Sequence, residues 1–317
     1  MYRDHTVAVV VPAYNEGVLI RRVIETMPEY VDHIVVVDDC SQDNTAEVVR
    51  SYATRLGERL VLLEHETNQG VGGAIATGYV WCRDHEIDAV AVMAGDAQMD
   101  PDDLPALLEP VVSGEVDYAK GNRLFTGDAW QQIPKVRYLG NSAMSLLTKI
   151  ASGYWHVADS QAGYTVINLK ALQTIDWDKM YKRYGQPNDL LVRLNVHNFR
   201  VRDVPVRPVY DIGEDSGVRP IRMIPRLSWL LFKLFVYRMW QKYVIRDFHP
   251  LLFFYALALF LLVVSVPLGL RVFYRWWILG GTIPSINALA WMSGTIAGLQ
   301  SLFFAMWFDM EYNRELR

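Results

Sequence analysis

Short apolar runs alternate with amphipathic segments along the first half of the chain. Residues 6–11 (TVAVVV), 33–37 (HIVVV) and 60–63 (LVLL) are such runs, and each leads into polar or glycine-rich sequence. A fourth run of strand type begins at Val90, in VAVMAGDAQMD (90–100), and ends in Asp96. Continuous apolar runs of this length are typical of strands buried on both faces of a parallel sheet. Their alternation with helical patterns predicts an α/β fold with a doubly wound, mostly parallel sheet.

Three later segments extend the predicted sheet. Residues 117–121, 165–168 and 201–209 have strand character, and a helical pattern begins near Asn188. Two prolines fall within the last of these segments. Because proline cannot donate a ladder hydrogen bond, we expect this strand at an edge of the sheet.

The pattern changes completely near residue 250. No charged residue occurs from Pro250 to Leu270 or from Trp276 to Phe308. Both runs reach the roughly 20 residues that a helix needs to span a bilayer. We therefore predict a two-helix transmembrane hairpin, with spans at about 250–270 and 284–308. The alternative is a pair of buried core helices in a soluble protein.

The predicted organisation places the hairpin after a cytosolic catalytic domain. The first apolar run stops at Pro12 and meets charge at Glu16, which is not a secretory signal pattern. More basic residues flank the hairpin on the catalytic side than lie in its turn, in agreement with the positive-inside rule. The expected parts are a catalytic domain (1–212), an interfacial segment (213–248), the hairpin (249–309) and a cytosolic tail (310–317).

Residues 219–246 carry seven basic residues and no acidic one, interleaved with aromatic residues. Cationic, aromatic-rich amphipathic helices lie in the membrane interface and favour anionic headgroups. This composition predicts interfacial helices, against the alternative of ordinary surface helices. In the second span, Gly294 and Gly298 form a small-xxx-small pair that lets helices approach closely. The pair either packs the hairpin on itself or joins subunits of a homo-oligomer, and the sequence leaves both open.

Overall charge and cysteine content exclude several classes of protein. The net charge of -4 and the isoelectric point near 6.0 provide no global basic field, so no nucleic-acid partner is expected. Two cysteines are too few for a disulfide framework or a four-cysteine zinc site.

Polar side chains follow the fourth predicted strand directly. Asp96 and Gln98 come just after residues 90–93, and carboxylates at the end of a buried strand lie where ligands bind in open α/β sheets. One carboxylate and one amide oxygen suit Mg²⁺ or Mn²⁺, which keep waters and share substrate phosphates. The competing interpretation is a helix N-cap cluster, since Asp100, Asp102 and Asp103 follow.

A second acidic pair, Asp38 and Asp39, follows the neighbouring strand. Acceptor-only side chains at this edge of the sheet suit the hydroxyls of a ribose or the N–H of a base. The glycine-rich residues 68–74 begin the next helix but do not form a dinucleotide fingerprint. They suit either close helix–sheet packing or contact with phosphate.

These motifs occur in the order of a known family. PAYNE (12–16), VVVDDCSQDNT (35–45), a D-x-Q loop (96–98), GNR (121–123) and DSQAGY (159–164) precede a terminal membrane hairpin. In this combination the chain resembles the family 2 glycosyltransferases, and within them the polyprenyl-phosphate, dolichol-phosphate-mannose-synthase-like branch. The resemblance covers nearly the whole chain and implies a fold of the nucleotide-diphospho-sugar transferase type.

The resemblance also implies roles for individual residues. The nucleoside pocket would be lined by Pro12, Tyr14, Glu16, Asp38 and Asp39. The metal would be held by Asp96 and Gln98, and the transferred sugar would lie near Asp159 and Gln161. The acceptor phosphate would be held by Arg123 and Arg137, and a loop containing Asp215, Ser216 and Arg219 would close over the donor phosphates. The expected catalytic residues are Asp96, Asp159, Arg123 and Arg137.

The implied reaction is inverting transfer of a hexose, mannose or glucose, from GDP-mannose or UDP-glucose to dolichyl or undecaprenyl phosphate. An alcohol acceptor needs a general base, whereas a phosphate monoester is already ionised. The sequence shows no obvious Asp–His or Glu–His pair, which favours the phosphate nucleophile. Bidentate arginines suit such a phosphate.

One position departs from the family pattern. The usual motif is D-x-D-x-Q, and Ala94 takes the place of its first acid. This departure motivates one alternative, a catalytically impaired membrane scaffold of the same fold. A polysaccharide synthase is the other alternative, but its Q-x-x-R-W motif is absent from the sequence.

Overall fold

The structure is a computed structural model that describes residues 1–124, 135–207, 220–282 and 285–317, with the side chains of 135–143 and 220–223 left out of the description. It divides into two compact units. The first comprises Met1–Arg238 with Leu316–Arg317, and the second comprises Met239–Glu315. Each unit is described by itself below.

The first unit is built on seven strands among the described residues. They are β1 (Val7–Ala13), β2 (His33–Asp38), β3 (Leu60–Glu64), β4 (Ala89–Val92), β5 (Tyr118–Asn122), β6 (Thr165–Asn168) and β7 (Val201–Pro205). The helices that join or follow them are α1 (Ile20–Glu25), α2 (Thr45–Leu56), α3 (Val71–Asp84), α4 (Leu104–Val112), α5 (Lys135–Ser152), α6 (Leu169–Thr174), α7 (Gln186–Val196) and α8 (Pro220–Trp240).

The strands form one sheet in the order β3-β2-β1-β4-β6-β5-β7. Neighbouring pairs are parallel except those of β6, which runs antiparallel to both β4 and β5. The predicted mostly parallel, doubly wound sheet is confirmed, and β7 lies at an edge. Because β6 is reversed, the segment before it reaches the same edge of the sheet as the carboxyl end of β4.

The apolar runs become strands because both faces of the sheet are covered. Along β1, Val7, Val9 and Val11 face a core shared with α1, α2 and α4, whereas Ala8 and Val10 face a second core shared with α3, α6 and α7. Every residue of β1 is buried. This alternation explains why the run carries no polar position.

Helix α8 packs on the first unit through one face. Leu230, Leu231 and Leu234 are buried against apolar residues of α5 and α7, whereas Trp229 and Phe232 remain 60% and 55% exposed. The basic residues of this region do not all face outward as expected for headgroup contacts: Arg238 is buried and donates from Nε to the Ala151 carbonyl (2.8 Å), and Lys242, in the second unit, is also buried. A cation at the last turn of α5 satisfies carbonyls that the helix leaves unpaired.

The second unit contains the predicted hairpin. Its helices are α9 (Leu251–Phe273), extended by a π-helical turn to Ile278, and α10 (Ser285–Tyr312). Both are long and apolar enough to span a membrane, and only 17% and 11% of their most apolar stretches are buried. A core helix of a soluble protein would be mostly buried, so the exposed apolar surfaces favour membrane-spanning helices.

Small residues let the two helices pack closely. A Cβ atom on Gly294 would lie 2.5 Å from Ser265 Oγ, and one on Gly298 would lie 2.9 Å from Leu262 Cγ. The small-xxx-small pair therefore faces the partner helix of the same hairpin. At the base of the hairpin, Tyr243 donates to the buried Asp309 carboxylate (2.6 Å).

Replacing Gly298 by leucine should destabilise the hairpin by about 1–3 kcal/mol, because the new side chain overlaps Leu262. The measurement is the unfolding midpoint of purified protein in detergent. Ala290→Leu is the matched control, since Ala290 is exposed on the same helix. Equal stability of both variants, with loss of a dimer only in Gly298→Leu, would instead assign the glycine to a subunit interface.

Candidate functional site

Five loops meet at one edge of the sheet. The segments after β1, β2 and β4 arrive there because these strands are parallel, and register places Ala13 beside Asp38. The antiparallel pairing of Val92 with Thr165 brings the segment before β6 to the same edge. The loop after β5 begins at Arg123. The fold thus gathers nearly all of the described candidate residues.

The loop after β1 is tied to the loop after β2. The Asn15 backbone N–H donates to Ser41 Oγ (2.9 Å), and the Gln42 N–H donates to Asn15 Oδ1 (2.7 Å). Pro12 is buried, whereas Tyr14 is 48% exposed and available to a ligand. The two loops therefore form one surface, as their common assignment to a nucleoside pocket requires.

The two carboxylates at the end of β2 both accept hydrogen bonds from other groups of the protein. Asp38 is buried and accepts from the backbone N–H (3.2 Å) and hydroxyl of Ser41. Asp39 is also buried and accepts from the N–H groups of Gln69 (2.8 Å) and Gly70 (2.7 Å). Asp39 therefore shapes the glycine-rich loop, a role that its position in the sequence did not indicate.

The absence of an Asp–His pair, inferred from the sequence, is wrong. His65 Nδ1 lies 2.7 Å from Asp39 Oδ1, and its Nε2 lies 2.9 Å from Thr77 Oγ1. The residues are 26 apart in sequence and meet because β2 and β3 are neighbours. The pair is buried and bonded at both ring nitrogens, so it braces the loop rather than serving as a base that could reach an acceptor.

The glycines of residues 68–74 allow close packing. Gly70 has a φ of +88°, and a Cβ atom there would lie 2.6 Å from the Lys182 carbonyl oxygen. Gly72 faces the Tyr181 carbonyl in the same way. The backbone at the start of α3 can approach residues 181–183 only without side chains. Packing thus accounts for both glycines.

The loop after β4 was interpreted from the sequence either as a metal site or as a helix N-cap cluster, and different residues of it fit the two roles. Asp100 accepts from the Asp102 N–H (3.0 Å) and caps the short helix Pro101–Asp103. Asp96 instead accepts from the Gln98 N–H (3.1 Å) in a turn before that cap. Asp100 therefore performs the capping, and Asp96 lies at the edge with the other candidate residues.

Glu16 lies beside this loop. A Cβ atom on Gly95 would come within 3.4 Å of Glu16 Cγ, so glycine makes room for the contact. Burial, together with the negative charges of Asp96 and Asp43, raises the pKa of Glu16 to about 7. A cation would relieve this repulsion, so Asp96 and Gln98, with Glu16 nearby, have the chemistry that suits Mg²⁺ or Mn²⁺. Within the described part of the chain, no three His, Cys, Asp or Glu residues converge on a metal position, so substrate oxygens would have to complete the shell.

Arg123 and Asp159 form a bidentate ion pair. Arg123 Nε lies 2.8 Å from Asp159 Oδ2, and Nη2 lies 3.1 Å from Oδ1. Burial raises the pKa of Asp159, but the hydrogen bonds and charge of Arg123, together with the charge of Lys120, outweigh it and hold that pKa below its ordinary value. The resemblance assigned Arg123 to the acceptor phosphate and Asp159 to the transferred sugar. In the structure the two side chains form one ion pair.

Gln161 extends this cluster toward α7. Its N–H lies 3.3 Å from Asp159 Oδ1, and its Nε2 lies 3.4 Å from Oδ1 of the buried Asn188. Gln161 also lines a mainly apolar cavity of about 240 Å³ together with residues of α3, β4 and α7. The sequence analysis missed His65, Lys120 and Asn188. Only Lys120 carried a signal, because a lysine inside a predicted core strand is unusual.

Four predicted residues cannot be placed in this cluster. Arg137 belongs to α5, but its side chain lies outside the described residues. Asp215, Ser216 and Arg219 also lie outside the part of the chain that the structure describes.

Glu16→Gln should stabilise the protein more at pH 8 than at pH 5.5. A carboxyl whose pKa is raised by folding contributes stability below its unfolded value, and this contribution is lost as pH rises through about 7. The measurement is the thermal midpoint of both proteins at the two pH values in the presence of a chelator. Glu86→Gln, at an exposed position, is the control. A midpoint difference independent of pH would contradict the electrostatic account.

Comparison of the sequence with known proteins identifies relatives that act on lipid phosphates. A UDP-N-acetylglucosamine–dolichyl-phosphate N-acetylglucosaminyltransferase from Methanococcus voltae is 26% identical over 219 residues, 65% of this chain and 87% of the relative. An undecaprenyl-phosphate mannosyltransferase from Micrococcus luteus is 30% identical over 216 residues, 66% of this chain and 86% of the relative.

A solved structure supports the fold. Glucosyl-3-phosphoglycerate synthase from Mycobacterium tuberculosis, in complex with Mg²⁺ and UDP, superimposes with a TM-score of 0.53 at 19% identity, covering 74% of this chain and 79% of that chain. The profile of glycosyl transferase family 2 matches residues 8–176, from β1 to the segment after α6. The chain therefore belongs to glycosyl transferase family 2.

Proposed function

We propose that the protein is a metal-dependent hexosyltransferase that moves a sugar from a nucleotide sugar to a polyprenyl phosphate. The observation that carries the proposal is the meeting of Asp96 and Gln98 with the Arg123–Asp159 pair at one edge of the sheet, in a chain with a transmembrane hairpin. Two relatives are named for sugar transfer to a polyprenyl phosphate, and the name of one of them gives UDP-N-acetylglucosamine as the donor.

In this proposal each loop has a part. Pro12 and Tyr14 contact the nucleoside, on the surface that Asp38 and Asp39 shape. Asp96 and Gln98 hold Mg²⁺ or Mn²⁺, which when bound supplies positive charge to the diphosphate that leaves. The resemblance assigns Ser216 and Arg219, which lie outside the described residues, to a loop that would close over the donor phosphates. GDP-mannose and UDP-glucose remain the donors inferred from the sequence, and the name of the Methanococcus relative adds UDP-N-acetylglucosamine.

The acceptor side follows from charge. Arg123 is 39% exposed at its side chain while paired with Asp159, so it can meet a phosphate without leaving its partner. Arg137 provides a second guanidinium for the same phosphate. An ionised phosphate attacks without a base, and the buried His65–Asp39 pair is consistent with that, because both its ring nitrogens are already bonded.

A polyprenyl acceptor is confined to the bilayer, so the proposed site must act at the headgroup level. Both flanks of the second unit, residue 238 and residue 316, belong to the catalytic unit, and the Val201 N–H donates to the Leu316 carbonyl there (2.9 Å). A hairpin with both ends on one side keeps the catalytic unit on that side. We place it in the cytosol because Arg246, Arg314 and Arg317 flank the hairpin. The exposed Trp229 and Phe232 of α8 would lie in the interface.

A catalytically impaired scaffold is the second candidate, and Ala94 favours it. Purified protein given donor, metal and undecaprenyl phosphate separates the two candidates by release of nucleoside diphosphate. The donors are GDP-mannose, UDP-glucose and UDP-N-acetylglucosamine, each tested alone. Release that requires the lipid phosphate supports the enzyme, and no release with any donor supports the scaffold.

Asp96→Ala should lower turnover on the order of 100-fold or more, because the proposed metal ion, whose charge would compensate the leaving diphosphate, loses a protein ligand. Turnover is measured as nucleoside diphosphate released at saturating donor and metal. Asp102→Ala is the control, since Asp102 is exposed a few residues away. Unchanged turnover in Asp96→Ala would remove Asp96 from the site.

Arg137→Ala should raise the KM for polyprenyl phosphate about 10-fold or more and leave the donor KM within about twofold, because a charge-assisted bond to the acceptor phosphate is lost. Steady-state kinetics with each substrate varied in turn provide both constants. Arg202→Ala, which removes an exposed arginine paired with Glu115, is the control. An effect confined to the donor KM would contradict the assignment.

A further inference from the structure

Lys120 is a buried cationic side chain on the strand next to the β7 edge of the sheet. It belongs to β5, is 0% exposed, and faces β6 and β7 through register with Thr165 and Asp203. A buried ammonium carries a large desolvation cost unless charges and hydrogen bonds compensate it. Such a residue is retained in a core strand only where it makes specific contacts.

Its contacts fall on the segment that precedes β6. Lys120 Nζ donates a hydrogen bond to the Ala162 carbonyl oxygen. The charged groups that act on Lys120 are the carboxylates of Asp159 and Asp203, which favour its charge, and the guanidinium of Arg123, which opposes it. All three belong to the candidate site or border it.

Asp203 holds the other end of the same segment. Its Oδ2 accepts from the Ala158 N–H (2.7 Å) and from Asn122 Nδ2 (3.2 Å). Among the residues that the structure describes, none donates a hydrogen bond to its buried Oδ1. Residues 158–162 are therefore gripped at both ends by two neighbouring strands, and Asp159, which pairs with Arg123, lies between the grips.

We propose that Lys120 is a positioning residue for sugar transfer: with Asp203 it clamps residues 158–162 and so fixes Asp159 and Arg123 relative to Asp96. The role of Lys120 rests on the proposed function. The carboxylates of Asp159 and Asp203 both favour the charge of its ammonium. Arg123 touches the acceptor in the proposed reaction, whereas Lys120 acts only through the segment that it holds.

The clamp has a characteristic dependence on pH. Burial lowers the pKa of Lys120 to about 8, against the opposing effect of Asp159 and Asp203. The ammonium is therefore present below that value and is lost as pH rises through it, and turnover should decline in the same range. An arginine at this position stays charged throughout. Lys120→Arg should extend activity to higher pH, an effect that a purely structural lysine would not produce.

The test compares Lys120→Met and Lys120→Arg with Lys179→Met, which removes an exposed lysine paired with Asp176. Lys120→Met should lower kcat on the order of 10- to 100-fold, with the donor KM within about twofold, because one charged hydrogen bond is lost. Lys120→Arg should recover most of kcat and move the alkaline limb upward. Wild-type kcat in Lys120→Met, or an unmoved alkaline limb in Lys120→Arg, overturns the proposal.

Hydrogen exchange separates this proposal from the proposed function. Amides of residues 158–162 should exchange faster in Lys120→Met than in the wild type and in Lys179→Met, whether or not any donor is turned over. If the wild type transfers no sugar but exchange of residues 158–162 rises in Lys120→Met, the clamp is supported and the proposed sugar transfer is contradicted. Unchanged exchange overturns the clamp. If Lys120→Met does not fold, the alkaline limb of Lys120→Arg decides the proposal.

Discussion

The reversal of one strand determines where the chemistry can occur. In a purely parallel sheet the segment before a strand lies at the amino edge, away from the ligand side. Strand β6 runs antiparallel between β4 and β5, so residues 159–164 emerge beside the carboxyl end of β4. Asp159 and Gln161 thereby share an edge with Asp96. Two groups of residues far apart in sequence become one site through that reversal.

Electrostatic compensation then keeps this edge ordered. Asp159 is buried against Arg123, Asp39 is buried among backbone N–H groups, and Lys120 is buried between carboxylates. Removing one partner from such a pair costs far more than an exposed pair contributes, because the remaining charge stays in a poor solvent. Glu16 is the exception, since its neighbours share its sign. The unbalanced negative charge therefore lies on the donor side, where a cation is proposed.

Much of the fold followed from the hydrophobic pattern. Strands β1 to β3 were predicted within two residues, and uncharged runs beyond residue 250 predicted both hairpin helices. The predicted fourth strand ran on to Asp96, whereas β4 ends at Val92. The reversal of β6 could not be predicted, since a four-residue strand has no direction in its sequence. The capping role of Asp100 also required coordinates, because several neighbouring acids compete for it. The helix that Gly294 and Gly298 face required them too, because their contacts are distant in sequence.

The site was predictable in its members more than in their partners. Motif order indicated Asp96, Arg123 and Asp159, but not that the last two form a pair, nor that Asp39 accepts hydrogen bonds from the glycine-rich loop.

The proposed reaction moves a sugar, without its phosphate, to a lipid phosphate. Mass spectrometry of the lipid formed from undecaprenyl phosphate tests this most directly. The expected product carries one phosphate and one hexose-type sugar. A product with two phosphates, or no glycosylated lipid from any donor, would rule out this reaction.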